Sequence, residues 1–291
     1  MKNIFEFNKQ RSIDGNIEGA FYFVKRHFKP MFRILWKYNS SIIIFFLMSY
    51  FLYFYKYFGF FNMFGAGKAN QFNDNDLIYL FAVGGLMLIS SILFFPRFYA
   101  SIFGYVRAYD ENNGIVEDEK VHHYIKTKFW GFLGVSILGG ILITIGFLIF
   151  IIPGIYFIVP VSIAYGVYFF EDLGPAESIS KSLNYVKGNW WASMMTLFLM
   201  GIIVALIGAV FNAPVQIYIL IKGILIEKEM NAALQTGDIV VSFMSVVAVI
   251  AQYMLKTLSM LSIVLIYFNL REKMTKEGAL HKIDQIGKTN E

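Results

Sequence analysis

Apolar residues run almost without interruption over six long segments of the chain, and shorter polar segments separate them. A helix needs about twenty consecutive apolar residues to cross the hydrocarbon core of a bilayer. The six segments that reach this length lie at about residues 40–60, 77–95, 129–151, a stretch that ends near Phe170, residues 190–211, and a stretch within residues 239–270. The pattern predicts an all-α, polytopic integral membrane protein with six transmembrane helices.

The connections between these segments refine the plan. Glycine, asparagine and aspartate cluster around residues 65–76 and predict a loop. Pro96 marks the end of the second span or a kink, with continuation of the helix to Tyr109 as the alternative. The Ile-Pro-Gly sequence at residues 152–154 predicts a tight turn that joins the third and fourth spans into a hairpin. The moderately apolar residues 212–237 predict an interfacial helix and a loop, with a re-entrant segment left open.

The composition excludes several classes of protein. Of the 291 residues, 57% are hydrophobic and 15% are charged, whereas about a quarter of the residues of an ordinary soluble domain are charged. A soluble enzyme and a secreted disulfide-rich scaffold are therefore excluded. The absence of cysteine removes thiol catalysis, disulfides and thiolate metal sites from consideration.

Lysine and arginine are distributed unequally between the connections. Twenty fall in the N-terminal segment, the second and fourth connections and the C-terminal tail, and three fall in the remaining connections. Positively charged connections stay in the cytoplasm, so both termini are predicted to be cytoplasmic. The chain then divides into residues 1–38, a cytoplasmic N-terminus with an amphipathic elbow helix; residues 39–270, a six-span membrane domain; and residues 271–291, a basic cytoplasmic tail. The net charge of +5 belongs to this asymmetry, and we predict no nucleic-acid partner.

A short pattern recurs before each predicted span that leaves the cytoplasm: a lysine is followed three positions later by an aromatic residue. The pairs are Lys25 and Phe28, Lys126 and Phe129, and Lys187 and Trp190. We call these stretches elbows, because an amphipathic helix in the headgroup layer can turn into a crossing at such a point. They are candidate sites for anionic lipid or for a partner protein. A role in membrane insertion and packing alone is the alternative, since basic and aromatic residues are common at such helix ends.

Lys256 is the most conspicuous charged residue inside a predicted span, and Gln252 lies one turn away on the same helix face. Charged residues within a membrane are costly and often mark a pathway for an ion or a substrate. Lys256 and Gln252 are therefore a candidate intramembrane polar site. A helix interruption is predicted at residues 212–214, and interrupted helices can also form sites near the middle of a membrane. A structural role is the alternative, because Lys256 can snorkel toward the surface if the last span begins late. Lys56, which lies nearer a span end, has the same structural interpretation.

Few side chains form a pattern typical of catalysis or metal binding. Glu171 and Asp172 follow the fourth span and are predicted to pair with Lys181 or with a basic elbow; a catalytic acid pair is the alternative. His122 and His123 are adjacent, so on a helix their side chains diverge by about 100° and hold one metal poorly. The sequence has no phosphate loop and no serine nucleophile elbow. We therefore predict no cofactor, no metal and no enzymatic activity.

Small residues four positions apart occur in two of the predicted spans. They are Ser136 with Gly140 in the third span, and Gly201 with Ala205 in the fifth. Such pairs let helices approach closely. We expect them to pack within the bundle, and homo-oligomerisation is the alternative.

The second half of the chain carries a pattern seen in a known family. Its residues are Pro153 and Gly154 at the hairpin turn, Glu171, Asp172, Gly174 and Pro175 after the fourth span, Ser182, Gly188 and Trp191 before the fifth, and Tyr267 and Arg271 at the end of the sixth. Together with the amphipathic opening near residues 17–36, the pattern resembles six-helix bacterial membrane proteins of unknown function that are related to the membrane domain of glycerophosphodiester phosphodiesterases. The central stretch is the most specific part.

The resemblance implies a six-helix architecture in the bacterial plasma (inner) membrane, and it implies little about activity. The phosphodiesterase members carry a separate catalytic barrel, which needs about 250 residues. The longest hydrophilic stretches of this sequence have only a few tens of residues, so they do not encode a phosphodiesterase domain. Lipid hydrolysis does not follow from the membrane part alone.

These features predict a non-enzymatic subunit or scaffold of a membrane assembly that organises lipid at the cytoplasmic leaflet. The predicted partners are membrane lipids and other membrane proteins. The alternative is a small transporter or channel with an intramembrane polar site around Lys256. Whether the chain forms a homo-oligomer stays open.

Overall fold

The computed structural model describes residues 4–65, 74–221 and 239–276, and within these ranges the chain is helical, with no strand. Eight helices follow one another there: α1 (Ile13–Gly65), α2 (Asp74–Glu111), α3 (Asp118–Thr127), α4 (Phe129–Ile149), α5 (Ile151–Glu171), α6 (Pro175–Val186), α7 (Trp190–Ile221) and α8 (Ile239–Thr275). Six of them, α1, α2, α4, α5, α7 and α8, are long and apolar enough to cross a membrane. The predicted helical membrane class and the six candidate spans are confirmed.

Four of the six candidate spans are longer than a bilayer requires. α1 has 53 residues, α2 has 38, α7 has 32 and α8 has 37. At 1.5 Å per residue, the shortest of these is about 48 Å long, whereas the hydrocarbon core is about 30 Å thick. α4 and α5, with 21 residues each, match the core closely. The four long helices must therefore tilt or continue beyond the bilayer.

α2 passes through Pro96 without ending and reaches Glu111, so continuation of the helix is the correct alternative at this position. A proline removes one backbone hydrogen bond, which membrane helices tolerate because neighbouring groups satisfy the freed carbonyl. Beyond the proline, Ile102, Phe103 and Val106 are completely buried. Packing of these side chains holds the second half of α2 in place.

The turn between α4 and α5 lies at Phe150, and the predicted turn at residues 152–154 is wrong. Phe150 alone separates the two helices; its backbone is extended, with φ −167° and ψ 157°, and its N–H donates to the Gly146 carbonyl at 3.0 Å. Pro153 lies instead in the first turn of α5. A missing N–H costs nothing there, because the first N–H groups of a helix have no helical partner. The proline thus marks the beginning of a helix.

The predicted interruption at residues 212–214 is also wrong, because α7 is continuous from Trp190 to Ile221. The Asn212 side chain donates from Nδ2 to the Gly208 carbonyl, one turn earlier, at 3.0 Å. This local hydrogen bond satisfies a polar side chain within an apolar helix. The segment predicted as interfacial therefore does not begin at residue 212. Its remainder, residues 222–237, lies outside the described residues.

Other predictions also lie outside the described residues. They concern the centre of the loop predicted around residues 65–76, the side chain of Lys56, and the tail from residue 277 onward.

The chain divides into two compact units, each with its own core. The first comprises the described parts of residues 1–38, 96–203 and 257–291, and the second those of residues 39–95 and 204–256. Aromatic side chains that are at most 1% exposed dominate the first core: Phe7, Phe23, Phe103, Phe132, Phe169, Tyr267 and Phe268. The second core contains the stacked rings of Phe46 and Phe94 with Tyr253, and an aliphatic cluster of Val215, Ile219, Val241 and Ala248.

Within the first unit, α6 packs against α5, and the start of α7 also contacts that helix. The indole N–H of Trp190 donates to the Tyr156 carbonyl at 3.1 Å, and the two rings stack with 5.8 Å between centroids. Tyr156 lies about 22 Å from Glu171 along α5. The Trp190 side chain therefore reaches the first half of α5, whereas Tyr185, at the end of α6, contacts Glu171.

Glycine allows α4 and α5 to approach closely at two levels. A Cβ added at Gly139 would lie 2.4 Å from Val161 Cγ1, and one added at Gly146 would lie 2.9 Å from Gly154 Cα. Real Cβ atoms do not approach other heavy atoms so closely. The hairpin is thus held by glycine faces on both of its helices.

The small-residue pairs predicted from the sequence are not the ones that make this contact. Ser136 is exposed but does contact α5, because its hydroxyl lies 3.0 Å from Tyr165 Oη. Gly140, Gly201 and Ala205 are exposed, and a Cβ added at Gly140 or Gly201 would have nothing within 4 Å. Adjacent helical positions point about 100° apart. A spacing of four therefore shows that two residues share a face, but it does not show which face packs.

We expect Gly139→Ala to destabilise the protein by about 1–3 kcal/mol, because the added methyl group overlaps Val161 in a close-packed contact. Gly140→Ala is the matched control, since its methyl group enters open space and alanine favours the helix by up to about 1 kcal/mol over glycine. Thermal unfolding of the two variants in one detergent measures the difference. Equal stability of the two variants would contradict the close approach.

Candidate functional site

The first part of α1 is amphipathic, and its exposed face carries five cationic side chains. The members of this basic stripe are Lys25, Arg26, Lys29, Arg33 and Lys37, all of which are exposed. Their helical spacing places them on one face, because residues three and four apart are neighbours. On the opposite face, Phe23, Met31 and Ile34 are each 1% exposed and belong to the core. Burial of the apolar face therefore fixes the basic stripe at the surface.

Asp118, the first residue of α3, pairs with one end of the basic stripe. Its carboxylate lies 2.9 Å from Lys37 Nζ and 3.4 Å from Arg33 Nη2. The hydrogen bond from Lys37 is the main cause of the lowered pKa of Asp118. Lys25 and Lys29 have no carboxylate partner in the described part of the chain. The stripe as a whole stays strongly positive.

Exposed tryptophans accompany the cations of the first unit. Trp36 lies within the basic stripe and is 55% exposed, Trp130 follows the exposed Lys126 by four residues and is 74% exposed, and Trp191 follows the exposed Lys187 by four and is 72% exposed. Tryptophan prefers the membrane–water interface, where its apolar ring and its polar N–H are both accommodated. Exposed cation and exposed indole thus occur together in three places.

The aromatic residues of the predicted elbows are less exposed than these tryptophans. Phe28, Phe129 and Trp190 are each partly buried. In the second and third elbows the exposed indole belongs to the next residue along the chain, Trp130 after Phe129 and Trp191 after Trp190. The interfacial preference of tryptophan over phenylalanine is the signal that points to these neighbours.

The three elbows do not share one backbone arrangement. α1 is continuous through Lys25 and Phe28, so no separate helix precedes this span. Lys126 belongs to α3, and Lys187 directly follows α6; both are short amphipathic helices. All three lysines are exposed. What the elbows have in common is an exposed lysine ahead of a long apolar stretch.

An ion cluster joins α2 and the end of α5. Arg107 donates from Nη1 and Nη2 to the two carboxylate oxygens of Asp172 at 3.0 and 2.9 Å, and Lys128 contacts the same carboxylate. Arg107 also pairs with Glu111 at 2.8 Å. The hydrogen bonds from Arg107, more than those from Lys128, lower the pKa of Asp172 to about 2. The predicted pairing with a basic elbow is confirmed, because Lys128 belongs to the second elbow stretch.

Glu171 has a separate set of partners. Its Oε1 accepts hydrogen bonds from Tyr185 Oη at 2.8 Å and from Tyr267 Oη at 3.1 Å, and its other oxygen pairs with Lys181. The predicted pair of Glu171 and Lys181 is confirmed. Glu171 and Asp172 thus bind different partners, and each carboxylate joins the end of α5 to the neighbouring helices.

The residues of the family-like pattern come together only in part. Six of them lie at the end of α5, along α6 or on the part of α8 that contacts Glu171: Glu171, Asp172, Gly174, Pro175, Ser182 and Tyr267. Pro153 and Gly154 lie in the first turn of α5, about 27 Å from Glu171 along the helix. Gly188 has φ +80°, a conformation that glycine favours, and it separates α6 from α7. Trp191 is exposed, and Arg271 is partly buried.

Lys256 lies in the second unit, where aromatic rings surround its ammonium group. Its Nζ is 5.1 Å from the centroid of Phe95 and 5.9 Å from that of Tyr253. Gln252 is exposed, and no hydrogen bond joins it to Lys256 in the described part of the chain. Contacts with ring faces stabilise a cation without a counter-ion. They support the structural interpretation of this lysine.

The two adjacent histidines have different surroundings. The ring of His122 stacks on Tyr38 with 4.2 Å between centroids, and partial burial is the main cause of its lowered pKa. His123 is exposed. Within the residues that the structure describes, no group of three or more metal-ligating side chains comes together.

Comparison of the chain with protein-family models, with curated proteins and with solved structures found no match.

Proposed function

We propose that this chain is a non-enzymatic, multi-pass membrane protein that holds anionic lipid at its cytoplasmic face, as a scaffold or subunit of a membrane assembly. The observation that carries the proposal is the placement of five exposed cations and the exposed Trp36 on one face of α1. Cytoplasmic termini and the bacterial plasma membrane belong to the same proposal. The unequal distribution of lysine and arginine along the sequence supports the orientation.

The chemistry of the basic stripe suits an anionic lipid surface. A lysine or arginine near an anionic membrane contributes about 1 kcal/mol. The three cations that are not paired with Asp118 therefore supply on the order of 3 kcal/mol. Trp36 adds an interfacial anchor, and the exposed lysines before α4 and α7, with the exposed tryptophans in the first turns of these helices, have the same character. The first and second elbows, which α3 connects, would then contact the same headgroup layer.

The acidic residues support a non-enzymatic role. Glu171 is held by two tyrosines and a lysine, and Asp172 by Arg107 and Lys128. A general acid or base must reach the proton that it transfers. These carboxylates are already engaged in joining helix ends.

The charge-reversal variant Lys25→Glu/Lys29→Glu tests the proposal. Wild-type and variant proteins are extracted in mild detergent from nanodiscs of mixed phosphatidylcholine and phosphatidylglycerol, and the retained lipid is quantified by mass spectrometry. We expect the variant to retain at least about threefold less phosphatidylglycerol, because two attractive charges have become repulsive.

The matched control is Lys9→Glu/Lys120→Glu, which changes the net charge by the same amount at exposed positions outside the basic stripe. We expect it to retain phosphatidylglycerol as the wild type does. Equal retention by all three proteins, with unchanged thermal unfolding, would refute the proposal. Equal losses in both variants would show that net charge alone matters, and would also refute a role for the stripe.

A further inference from the structure

A cavity of about 380 Å³ lies in the first unit, among the start of α1, the start of α7 and the last turns of α8. Four polar side chains that are at most 6% exposed form part of its wall: Asn16, Ser193, Thr196 and Asn269. Buried polar groups are almost always hydrogen-bonded. The cavity volume is at the lower end of the range for small-molecule pockets.

Two of these side chains build the wall. Asn269 Oδ1 accepts from the Arg11 backbone N–H at 2.9 Å, and Asn269 Nδ2 donates to the Arg11 carbonyl at 3.0 Å. This pair of bonds fastens the segment before α1 to α8. Thr196 donates to the Ala192 carbonyl at 2.9 Å within α7. These groups fix the shape of the cavity and have little capacity left for a ligand.

The other two side chains retain that capacity. Asn16 is 2% exposed, and its Oδ1 has no hydrogen-bond partner in the described part of the chain. The two ends of an amide exchange by rotation, so Asn16 can present either its oxygen or its NH₂ group to a ligand. Ser193, which is 3% exposed, makes no hydrogen bond through its hydroxyl within the described residues. Both side chains line the cavity.

The electrostatics of the cavity favour an anion. Lys273 donates from Nζ to Asn189 Oδ1 at 2.8 Å, which uses one of its three N–H bonds. The first turns of α1 and α7 border the cavity, and helix starts present unpaired N–H groups and a partial positive charge. The guanidinium group of Arg11 is bound to the Phe7 and Lys9 carbonyls. Asp14, which also lines the cavity, is exposed and contributes the opposing charge.

We propose that this cavity binds a phosphate group, held by the Lys273 ammonium, the Ser193 hydroxyl, the Asn16 amide and the Ala192 N–H in the first turn of α7. Helix starts combined with a lysine are a common arrangement for phosphate binding. The phosphate belongs either to a lipid headgroup or to free inorganic phosphate. The site goes beyond the proposed function, because none of its residues belongs to the basic stripe and its occupancy does not require the stripe to bind lipid.

Calorimetric titration of the full chain in a neutral detergent tests the site with two probes, inorganic phosphate and dihexanoyl phosphatidylglycerol. We expect saturable binding of at least one probe and an affinity about tenfold lower for Lys273→Gln, because a charge-assisted hydrogen bond is lost. Ser193→Ala removes a single hydroxyl, and we expect it to lower the affinity about threefold. Lys120→Gln removes the same charge at an exposed position on α3 and should bind as the wild type does.

The outcomes separate the two sources of phosphate. Tighter binding of the lipid indicates a headgroup site, and equal or tighter binding of inorganic phosphate indicates a site for the free anion. Absence of saturable binding of both probes, or Lys273→Gln binding as tightly as the wild type, overturns the proposal. If Lys273→Gln does not fold, Ser193→Ala decides: weaker binding supports the site and unchanged binding overturns it.

Discussion

Replacement of Asp172 by alanine is expected to lower the free energy of unfolding by about 1–3 kcal/mol. Its removal leaves the side chains of Arg107 and Lys128, which are 17% and 13% exposed, without the carboxylate that both contact. Removal of one partner from a buried ion pair costs about 3–5 kcal/mol. The expected loss is smaller because the Asp172 side chain is itself 55% exposed and screened by solvent, and because Arg107 keeps Glu111 as a partner.

Chemical or thermal unfolding in one detergent measures this effect. Glu119→Ala is the control, because Glu119 is an exposed carboxylate on α3, and its removal is expected to change stability by at most about 0.5 kcal/mol. A loss for Asp172→Ala no larger than the loss for Glu119→Ala would show that the ion cluster does not stabilise the fold.

The same cluster gives the protein a defined acid sensitivity. The pKa of Asp172 is lowered in the folded state to about 2, chiefly by hydrogen bonds from Arg107. A carboxylate with a lowered pKa stabilises the folded state above its unfolded pKa of about 4, and this contribution disappears as the pH falls through its folded pKa. The stability difference between wild type and Asp172→Ala is therefore expected to shrink between about pH 4 and pH 2. A difference that stays constant over this interval would contradict the ion pairing.

Truncation of Tyr267 to alanine is expected to cost about 3–5 kcal/mol, the range for large aromatic side chains in a core. Tyr267 is completely buried, its ring stacks on Phe170 with 5.3 Å between centroids, and a Cβ added at Gly166 would lie 2.8 Å from Tyr267 Cβ. The side chain therefore fills the space between α5 and α8 at this level.

Tyr267→Phe separates the two roles of this side chain. It keeps the ring and removes the hydrogen bond to Glu171, so we expect a loss of about 1 kcal/mol. Unfolding free energies of the two variants, measured side by side, give the contribution of the ring as their difference. Variants of equal stability would mean that the hydroxyl, and not the packing of the ring, makes the contribution.

The ion cluster also bears on the basic stripe. Asp118 begins α3 and pairs with Lys37 and Arg33, whereas Lys128 follows the end of the same helix and contacts Asp172. α3 is thus attached at its start to the stripe and at its end to the tip of α5. The carboxylate that neutralises part of the stripe is held in place by both attachments.

The sequence was sufficient for the helical class and the number of candidate spans, because a bilayer imposes a length on every apolar stretch that crosses it. The pairing of Glu171 with Lys181 was also predictable, since both lie close together in the chain. Arg107 as the main partner of Asp172 was not. The two residues are 65 positions apart, and only the packing of α2 against the end of α5 brings them together.

Local signals misled where two principles compete. Proline at residue 153 is typical of turns and equally of a first helical turn, and the structure uses the second property. Asparagine and proline at residues 212 and 214 disfavour helices in water, yet an apolar environment leaves a helix as the form that satisfies the backbone. The spacing of small residues showed which of them share a helix face, but not which face packs against another helix. The close contacts are made by Gly139 and Gly146.

The basic stripe can contact the cytoplasmic leaflet only if it lies on the cytoplasmic side of the membrane. The sequence contains no cysteine, so Lys29→Cys introduces a single thiol into the exposed face of α1. A membrane-impermeant maleimide is applied to intact cells and to inside-out membrane vesicles. The expected result is modification in inside-out vesicles and none in intact cells; modification in intact cells and none in inside-out vesicles would contradict it.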